Sequence, residues 1–309
     1  MKKKENNPLN GWLSINKPLG LTSRQVVTVV KRALKIKKVG HAGTLDPLAT
    51  GVLPLALGEA TKLVSYAMNT SKTYQFTLKW GASTSTDDLE GDILDTSSFV
   101  PSKEILSNAL SQFLGDISQV PPRYSALKIN GNRAYTLARQ NKNFSLNSRC
   151  IHIYDLQLLD HQKDKKESTF NVICSKGTYI RSLARDIAKS CNSVGHVSKL
   201  HRTQVGPFFI NNAILLESIE KMVHKREAIV LSPLSVLADI PALIVEDHIA
   251  TRLRCGQKIS LEKEYDNGLA LPEVMFKTPV FQCLTNSHAL VALAKIEDGV
   301  IKVARGFNF

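Results

Sequence analysis

The chain has 309 residues, 43% hydrophobic and 22% charged, which leaves room for a full core in two domains or in one domain with an appendage. Its apolar runs fall far short of the ~20 residues a membrane helix needs. Its five scattered cysteines (Cys150, Cys174, Cys191, Cys255, Cys283) show neither disulfide nor zinc-ligand spacing, so they read as reduced buried thiols. The net charge of +13 is unevenly placed: residues 241–309 hold eight basic and eight acidic side chains, so the whole excess lies before them.

Residues 1–10 begin Met-Lys-Lys-Lys-Glu with no apolar run behind, and read as a disordered basic tail, not a secretory signal. A short strand at 13–15 ends in Asn16-Lys17-Pro18. Thr22 or Ser23 caps a helix to about Leu34, with Val26, Val27, Val30 and Leu34 on one face. Residues 40–51, rich in Gly, Thr and Pro, are loop; an apolar run at 52–57 and a short helix at 59–68 follow. Residues 73–80 alternate, with Tyr74, Phe76, Leu78 and Trp80 facing one way, as in a half-buried strand. A polar loop fills 82–92, a helix fills 103–114, and Pro121-Pro122 breaks the chain.

A basic insertion spans about 117–154, with a short helix at 133–139. Strands at 151–159 and 168–174 pair, and Thr178 caps a helix to about Lys189. A strand near 197–205 and a helix near 216–225 complete a domain over 11–240. From residue 241 short β-like segments begin. Strands in hairpin-like pairs alternating with single helices predict an α+β fold with a mixed, largely antiparallel central sheet flanked by helices. A small β-rich domain at 241–309 follows.

The charge map points to a partner. Seven basic residues and no acid occupy 11–45 (Lys17, Arg24, Lys31, Arg32, Lys35, Lys37, Lys38), and six with no acid occupy 117–154 (Arg123, Lys128, Arg133, Arg139, Lys142, Arg149). Solvated surfaces normally mix signs, so two such stretches suit a polyanion, nucleic acid above all.

Two clusters carry chemistry. Gly40-His41-Ala42-Gly43-Thr44-Leu45-Asp46-Pro47-Leu48-Ala49-Thr50-Gly51 describes a backbone held on a tight path, which either presents the Asp46 carboxylate at its apex or uses Asp46 to cap a turn ahead of Pro47. In Gly177-Thr178-Tyr179-Ile180-Arg181-Ser182-Leu183-Ala184-Arg185-Asp186, Arg181 sits in a first helical turn, where a cation opposes the macrodipole. It is an ordinary surface arginine unless an acid elsewhere answers it.

These clusters, with Asn16-Lys17-Pro18, Lys72-Thr73-Tyr74, Gly81-x-x-Thr84-x-Thr86-x-Asp88-x-x-Gly91, Pro121-Pro122-x-Tyr124-Ser125-Ala126-x-Lys128 and His196–Thr203, resemble the TruB-type pseudouridine synthases, the bacterial family that modifies uridine-55 of tRNA. The motifs fall in the family's order over residues 11–206. Beyond residue 240 a looser likeness, through Leu253-x-x-Gly256-Gln257 and the closing segments at 291–305, is to a small β-barrel-like RNA-binding PUA domain. His201 stands where the family more often has an arginine.

The resemblance implies a cytoplasmic, cofactor- and metal-free enzyme acting on the T-arm of tRNA, monomeric, with no membrane contact and no obligatory protein partner. It makes Asp46 the nucleophile, and Arg181 the cation that keeps this carboxylate charged. Tyr74 stacks on the extruded uracil and helps remove its C5 proton, Tyr179 and Leu200 wall the pocket, and His41 packs against the RNA. Lys17 and Lys72 are either phosphate contacts or structural. The insertion closes over the tRNA arm. Neither a P-loop nor a dinucleotide fingerprint is present. A non-catalytic RNA-binding protein would explain the charge without the Asp46 loop, and a retaining glycosidase would need a second carboxyl ~5–5.5 Å from the first.

Overall fold

A computed structural model describes residues 9–140, 142–225, 227–262 and 271–309. β1 (Gly11–Lys17) leads through helix α1 (Ser23–Leu34) to β2 (Val39–His41) and β3 (Ala49–Leu57). A 3-10 helix (Gly58–Leu63) and α2 (Val64–Asn69) precede β4 (Lys72–Trp80), and β5 (Ala82–Thr84) pairs with β6 (Ile93–Thr96). α3 (Lys103–Leu110) and β7 (Gly115–Gln119) come next, then β8 (Lys128–Ile129), β9 (Asn132–Arg133) and α4 (Ala134–Arg139). β10 (Arg149–Gln162), β11 (Glu167–Cys174), α5 (Ile180–Ser190), β12 (Gly195–Val205), β13 (Phe208–Phe209) and β14 (Ile214–Leu215) complete the larger unit. The remainder holds β15 (Ala242–Ile244), α6 (Asp247–Arg254), β16 (Ile259–Ser260), α7 (Val274–Lys277), β17 (Phe281–Leu284), β18 (Leu290–Glu297) and β19 (Val300–Gly306).

The central sheet runs β14-β1-β3-β12-β4-β11-β10-β7, with β2 on β3 and β13 on β12. Only β1–β14 and β3–β12 are parallel, so the sheet is mixed and largely antiparallel. Local chemistry explains the elements. Thr22 and Gln25 form a reciprocal capping box at the start of α1, Val26, Val30 and Leu34 are buried beneath it, and Lys35 ends it in a left-handed conformation. On β4 the alternation buries Phe76, Leu78 and Trp80; Phe76 stacks on Phe170 of β11 at 5.0 Å, and the Trp80 indole donates to Ser168.

The C-terminal sheet, β15-β17-β18-β19-β16, is open at both ends among the described residues, a half-barrel. It has its own core around Leu253, Phe281 and Val291, but a second cluster joins it to the larger unit: Trp12, Ala42, Val52 and Phe208 pack with Leu284, Leu290, Leu293 and Phe307. Polar bonds close the seam. Lys62 Nζ donates to Gly306 O at 2.8 Å, Asn308 N donates to Glu59 Oε2, and Gln282 Nε2 donates to the carbonyls of Leu237 and Ile240.

Several expectations need correcting. The glycine-framed loop is shorter than 40–51, because β2 and β3 pair through His41↔Leu55 and β3 begins at Ala49. Residues 82–92 contain β5. Residues 216–225 form no α-helix: Leu216 and Ile219, three apart and both buried, suit the 3-10 turn observed at Leu216–Ser218. Thr178 does not cap α5, since its hydroxyl donates to Ser175 O and Tyr179 is the N-cap without a side-chain bond. The ends of the basic insertion belong to the sheet as β7 and β10, leaving only 120–148 outside it. Of the N-terminal tail, residues 1–8 lie outside the described residues. Leu9 is buried and Asn10 Oδ1 accepts from Glu59 N, so neither is disordered. Cys150 and Cys255 are exposed; the other three cysteines are buried.

Candidate active site

Residues 42–48 hang between β2 and β3 and are tied down on three sides. Ser23 Oγ, at the start of α1, accepts from Leu45 N at 2.8 Å and donates to Leu45 O at 3.1 Å. The fully buried Lys17 Nζ donates to Leu21 O (2.7 Å), Pro18 O (3.0 Å) and Pro47 O (3.3 Å). From β12, the buried Arg202 donates through Nη2 to Gly43 O (3.1 Å) and through Nε to Val52 O (2.8 Å). Gly51, with φ +102°, allows this approach, because a Cβ there would fall 2.2 Å from Arg202 O. The clamped loop leaves the Asp46 side chain 37% exposed.

Arg181 meets it. Nη2 lies 2.9 Å from Asp46 Oδ2, while Nη1 lies 3.4 Å from Oδ2 of the buried Asp88. The guanidinium also donates to Thr86 O (2.9 Å) and Tyr124 O (3.0 Å), so the cation at the start of α5 is answered by two acids and two carbonyls. Asp88 Oδ1 accepts from Thr86 Oγ1 and from Glu90 N, and its Oδ2 forms the ion pair with Arg181. One turn further along α5, Arg185 pairs with Asp87 and Asp186. Burial pushes the Asp87 carboxyl up, against the pull of Arg185 and Arg181. Gln119 grips the backbone ahead of the helix, donating to Tyr179 O and accepting from Tyr179 N.

A cleft of about 550 Å³ opens above this pair, lined among others by Asp46, Tyr74, Tyr179, Arg181, Leu200, Lys72 and Arg202. Burial raises the hydroxyls of both Tyr74 and Tyr179 above the ordinary phenol range, although Arg202, 6.0 Å from the Tyr74 ring, works against this at Tyr74. Lys72 Nζ donates to Met68 O and Thr70 O. Burial brings Lys72, and likewise Lys17, down to about 8. Segment 120–148 contributes Tyr124, Ser125, Ala126, Tyr135 and Arg139 to the lining. Among the described residues no group of His, Cys, Asp and Glu could hold a metal ion.

Six of the eight residues singled out from sequence therefore share one cleft: Asp46, Tyr74, Tyr179, Arg181, Leu200 and Lys72. His41 sits on β2 outside the lining, with Nδ1 buried and unpartnered and its pKa lowered by burial. Lys17 points away from solvent as a brace beneath Pro47, so of its two readings the structural one fits. Two residues escaped notice. Asp88 lay inside a motif without a role of its own, though an acid in a turn between Thr86 and Glu90 is the kind of partner Arg181 called for. Arg202 follows Leu200 by two positions on a strand, hence shares its buried side, and a buried cation on a strand signals a cluster of acceptors.

Residues 31–180 match the model of the TruB family pseudouridylate synthase N-terminal domain, and residues 181–237 that of the tRNA pseudouridylate synthase B C-terminal domain. The chain is 46% identical to the tRNA pseudouridine synthase B of Caulobacter vibrioides over 84% of each. It is 43% identical to that of Rhodospirillum rubrum over 99% of each, and 39% identical to that of Ehrlichia chaffeensis over 96% of this chain and 99% of the relative. Among solved structures, a Cbf5-Nop10-Gar1 complex matches over 96% of this chain and 85% of the other, with a TM-score of 0.71 at 24% identity, a likeness of fold. The Asp46 loop, Arg181 and the sheet that brings them together thus lie in a chain that belongs to the TruB family of pseudouridylate synthases.

Proposed function

We propose that this protein converts uridine-55 in the T-arm loop of tRNA to pseudouridine, with residues 11–240 as the catalytic domain and 241–309 as a PUA-type RNA-binding domain. The reading is supported above all by Arg181 Nη2 lying 2.9 Å from Asp46 Oδ2 at the base of a cleft walled by Tyr74, Tyr179 and Leu200. Asp46 is the nucleophile and attacks the uridine at the base or at the ribose anomeric carbon. The C1′–N1 bond breaks, the uracil turns in the cleft, and the C1′–C5 bond forms; C5 loses a proton and N1 gains one. Atoms and electrons balance without a redox step.

Arg181 holds the carboxylate in place. Tyr74 and Tyr179 stack on or flank the extruded base, offsetting a few kcal/mol of lost RNA stacking. With its hydroxyl raised by burial, Tyr74 works as a neutral phenol that relays the C5 proton. Lys72 braces the C-terminal end of α2 beside the cleft through the carbonyls of Met68 and Thr70. His41 flanks the RNA from β2, and segment 120–148 closes over the arm. No helix among the described residues is long and apolar enough to cross a membrane. The same reading has the enzyme act on tRNA in the cytoplasm, as a monomer without an obligatory protein partner. The test is to incubate the pure protein with an unmodified tRNA transcript and map carbodiimide stops by primer extension. A single stop at position 55 is expected; stops elsewhere, or none, overturn the assignment.

A further inference from the structure

Helix α1 carries a pattern that its own stability does not explain. Arg24, Thr28 and Lys31 recur at spacings of four and three, which places them on one side of the helix; Lys35 follows as its left-handed C-cap, and all four are exposed, as is Arg32. The first turn contains no acid, so Arg24 there opposes the helix dipole, a destabilisation of ~0.3–1 kcal/mol. Lys31 and Lys35, one turn apart, repel each other. Among the described residues none of Arg24, Lys31, Arg32 and Lys35 has an ion pair; the nearest pair, Lys38 with Glu59, is 3.8 Å and lies beyond the helix. Basic residues in the last turn suit the dipole, but Arg24 does not, and together they make a row of unanswered positive charge.

The row has a fixed relation to the chemistry. Thr22, the N-cap, lines the catalytic cleft, and Ser23 bonds both polar atoms of the Leu45 backbone, one residue from Asp46. The charges start at the rim of the cleft and run away from it along twelve residues, roughly 18 Å of helix. The opposite side of the helix, Val26, Val30 and Leu34, is locked into the core, so the row is rigid.

We infer that the exposed face of α1 is a phosphate track, along which Arg24, Lys31, Arg32 and Lys35 receive the backbone of an RNA stem whose extruded nucleotide enters the cleft. The inference rests on the pseudouridine-synthase reading for the identity of the RNA. Charge complementarity commits the face to this occupant: a row of cations along a rigid rod matches the regular phosphates of a duplex. The track sets where the stem lies, while the cleft selects the base.

The test is a salt titration of tRNA binding by the full chain, wild type against an Arg24→Ala/Lys31→Ala/Lys35→Ala variant, with Lys163→Ala, exposed in the turn between β10 and β11, as control. The slope of log affinity against log salt should flatten by ~0.7–0.9 for each phosphate that is no longer neutralised, and the control should match wild type. KM should rise at least tenfold while kcat falls less than twofold. The melting temperature should not drop, since removing Arg24 relieves the dipole; the corresponding Gln variant, which preserves side-chain length, should show the same slope change. An unchanged slope in both variants overturns the track, as would lost binding to phosphatidylserine vesicles with the tRNA slope intact. If wild type binds tRNA but forms no pseudouridine, the proposed activity fails while the slope comparison still decides the track.

Discussion

Residues 11–240 and 241–309 are held together by different physics. The larger unit buries Lys17, Lys72, Asp88, Arg181, His196 and Arg202, and answers the cations largely with backbone carbonyls. Among the described residues of the smaller unit the buried polar side chains are only Gln282 and Thr285, both neutral. The larger unit also carries the whole net charge. A buried charge is tolerable only where several acceptors or donors converge on it, so each such residue fixes local backbone with high precision at a substantial desolvation cost. An apolar core fixes shape cheaply but positions no single atom so tightly. Substitutions should therefore act on chemistry in one region and on stability in the other.

The sharpest test lies at Asp46. Asp46→Asn preserves shape and removes the proposed nucleophile; turnover should vanish, with tRNA affinity within a few-fold of wild type by anisotropy. Ordinary activity in that variant would remove the chemical half of the contrast. Next comes the apolar side. Phe307→Ala empties part of the cluster shared with Trp12 and Phe208, and should lower unfolding free energy by ~3–5 kcal/mol in urea titrations while leaving kcat of the folded protein unchanged. Truncation after Ile240 strips the same cluster and should yield insoluble or molten protein. A well-folded truncated chain would show that the two regions are independent after all.

Arg181→Lys keeps the charge but loses the planar fork shared between Asp46 and Asp88, and single-turnover rates should fall ~10²-fold, about 2.7 kcal/mol of transition-state stabilisation. Asp88→Asn, which leaves the Asp46 pair intact, should fall less. The smallest effect is on pH. Burial takes Lys17 and Lys72 from 10.5 down to about 8, so above pH 8 the unfolded chain binds more protons than the folded one, and stability rises with pH. The penalty is present in full below pH 8. Between pH 8 and 9, before buried thiols such as Cys283 act the other way, urea unfolding should show a gain of about 1 kcal/mol per lysine, reduced in Lys72→Met.

What sequence made legible follows the same division. The alternation Tyr74, Phe76, Leu78, Trp80 marked β4 because one face is buried and one is not. Arg181 was legible as a cation in the wrong place on a helix, and Asp46 as the apex of a glycine-framed loop. Lys17 was not, because a lysine beside Pro18 looks like surface until three carbonyls are seen to converge on it. Asp88 needed Arg181, 93 residues further on, and Arg202 needed Val52, 150 residues before it. The shared cluster around Phe307 escaped because a charge boundary at residue 240 says nothing about which apolar side chains meet across it. The stretch 216–225 misled by having helical composition but 3-10 spacing of its anchors.

The place of β12 in the sheet has a consequence for synthesis. β12 lies between β3 and β4, although it is made more than a hundred residues after either. The sheet cannot zip up in the order of translation: β3 and β4 wait as open edges until residue 205 has left the ribosome, and pairing then closes a long loop, a slow step. The Asp46 loop emerges early, but Arg181 and Arg202 arrive late, so a nascent or prematurely terminated chain carries the basic stretch at 11–45 without the assembled cleft. Chains stalled before β12 should be the aggregation-prone and degradation-prone species in cells, and catalytic competence should arise in one step when that strand inserts.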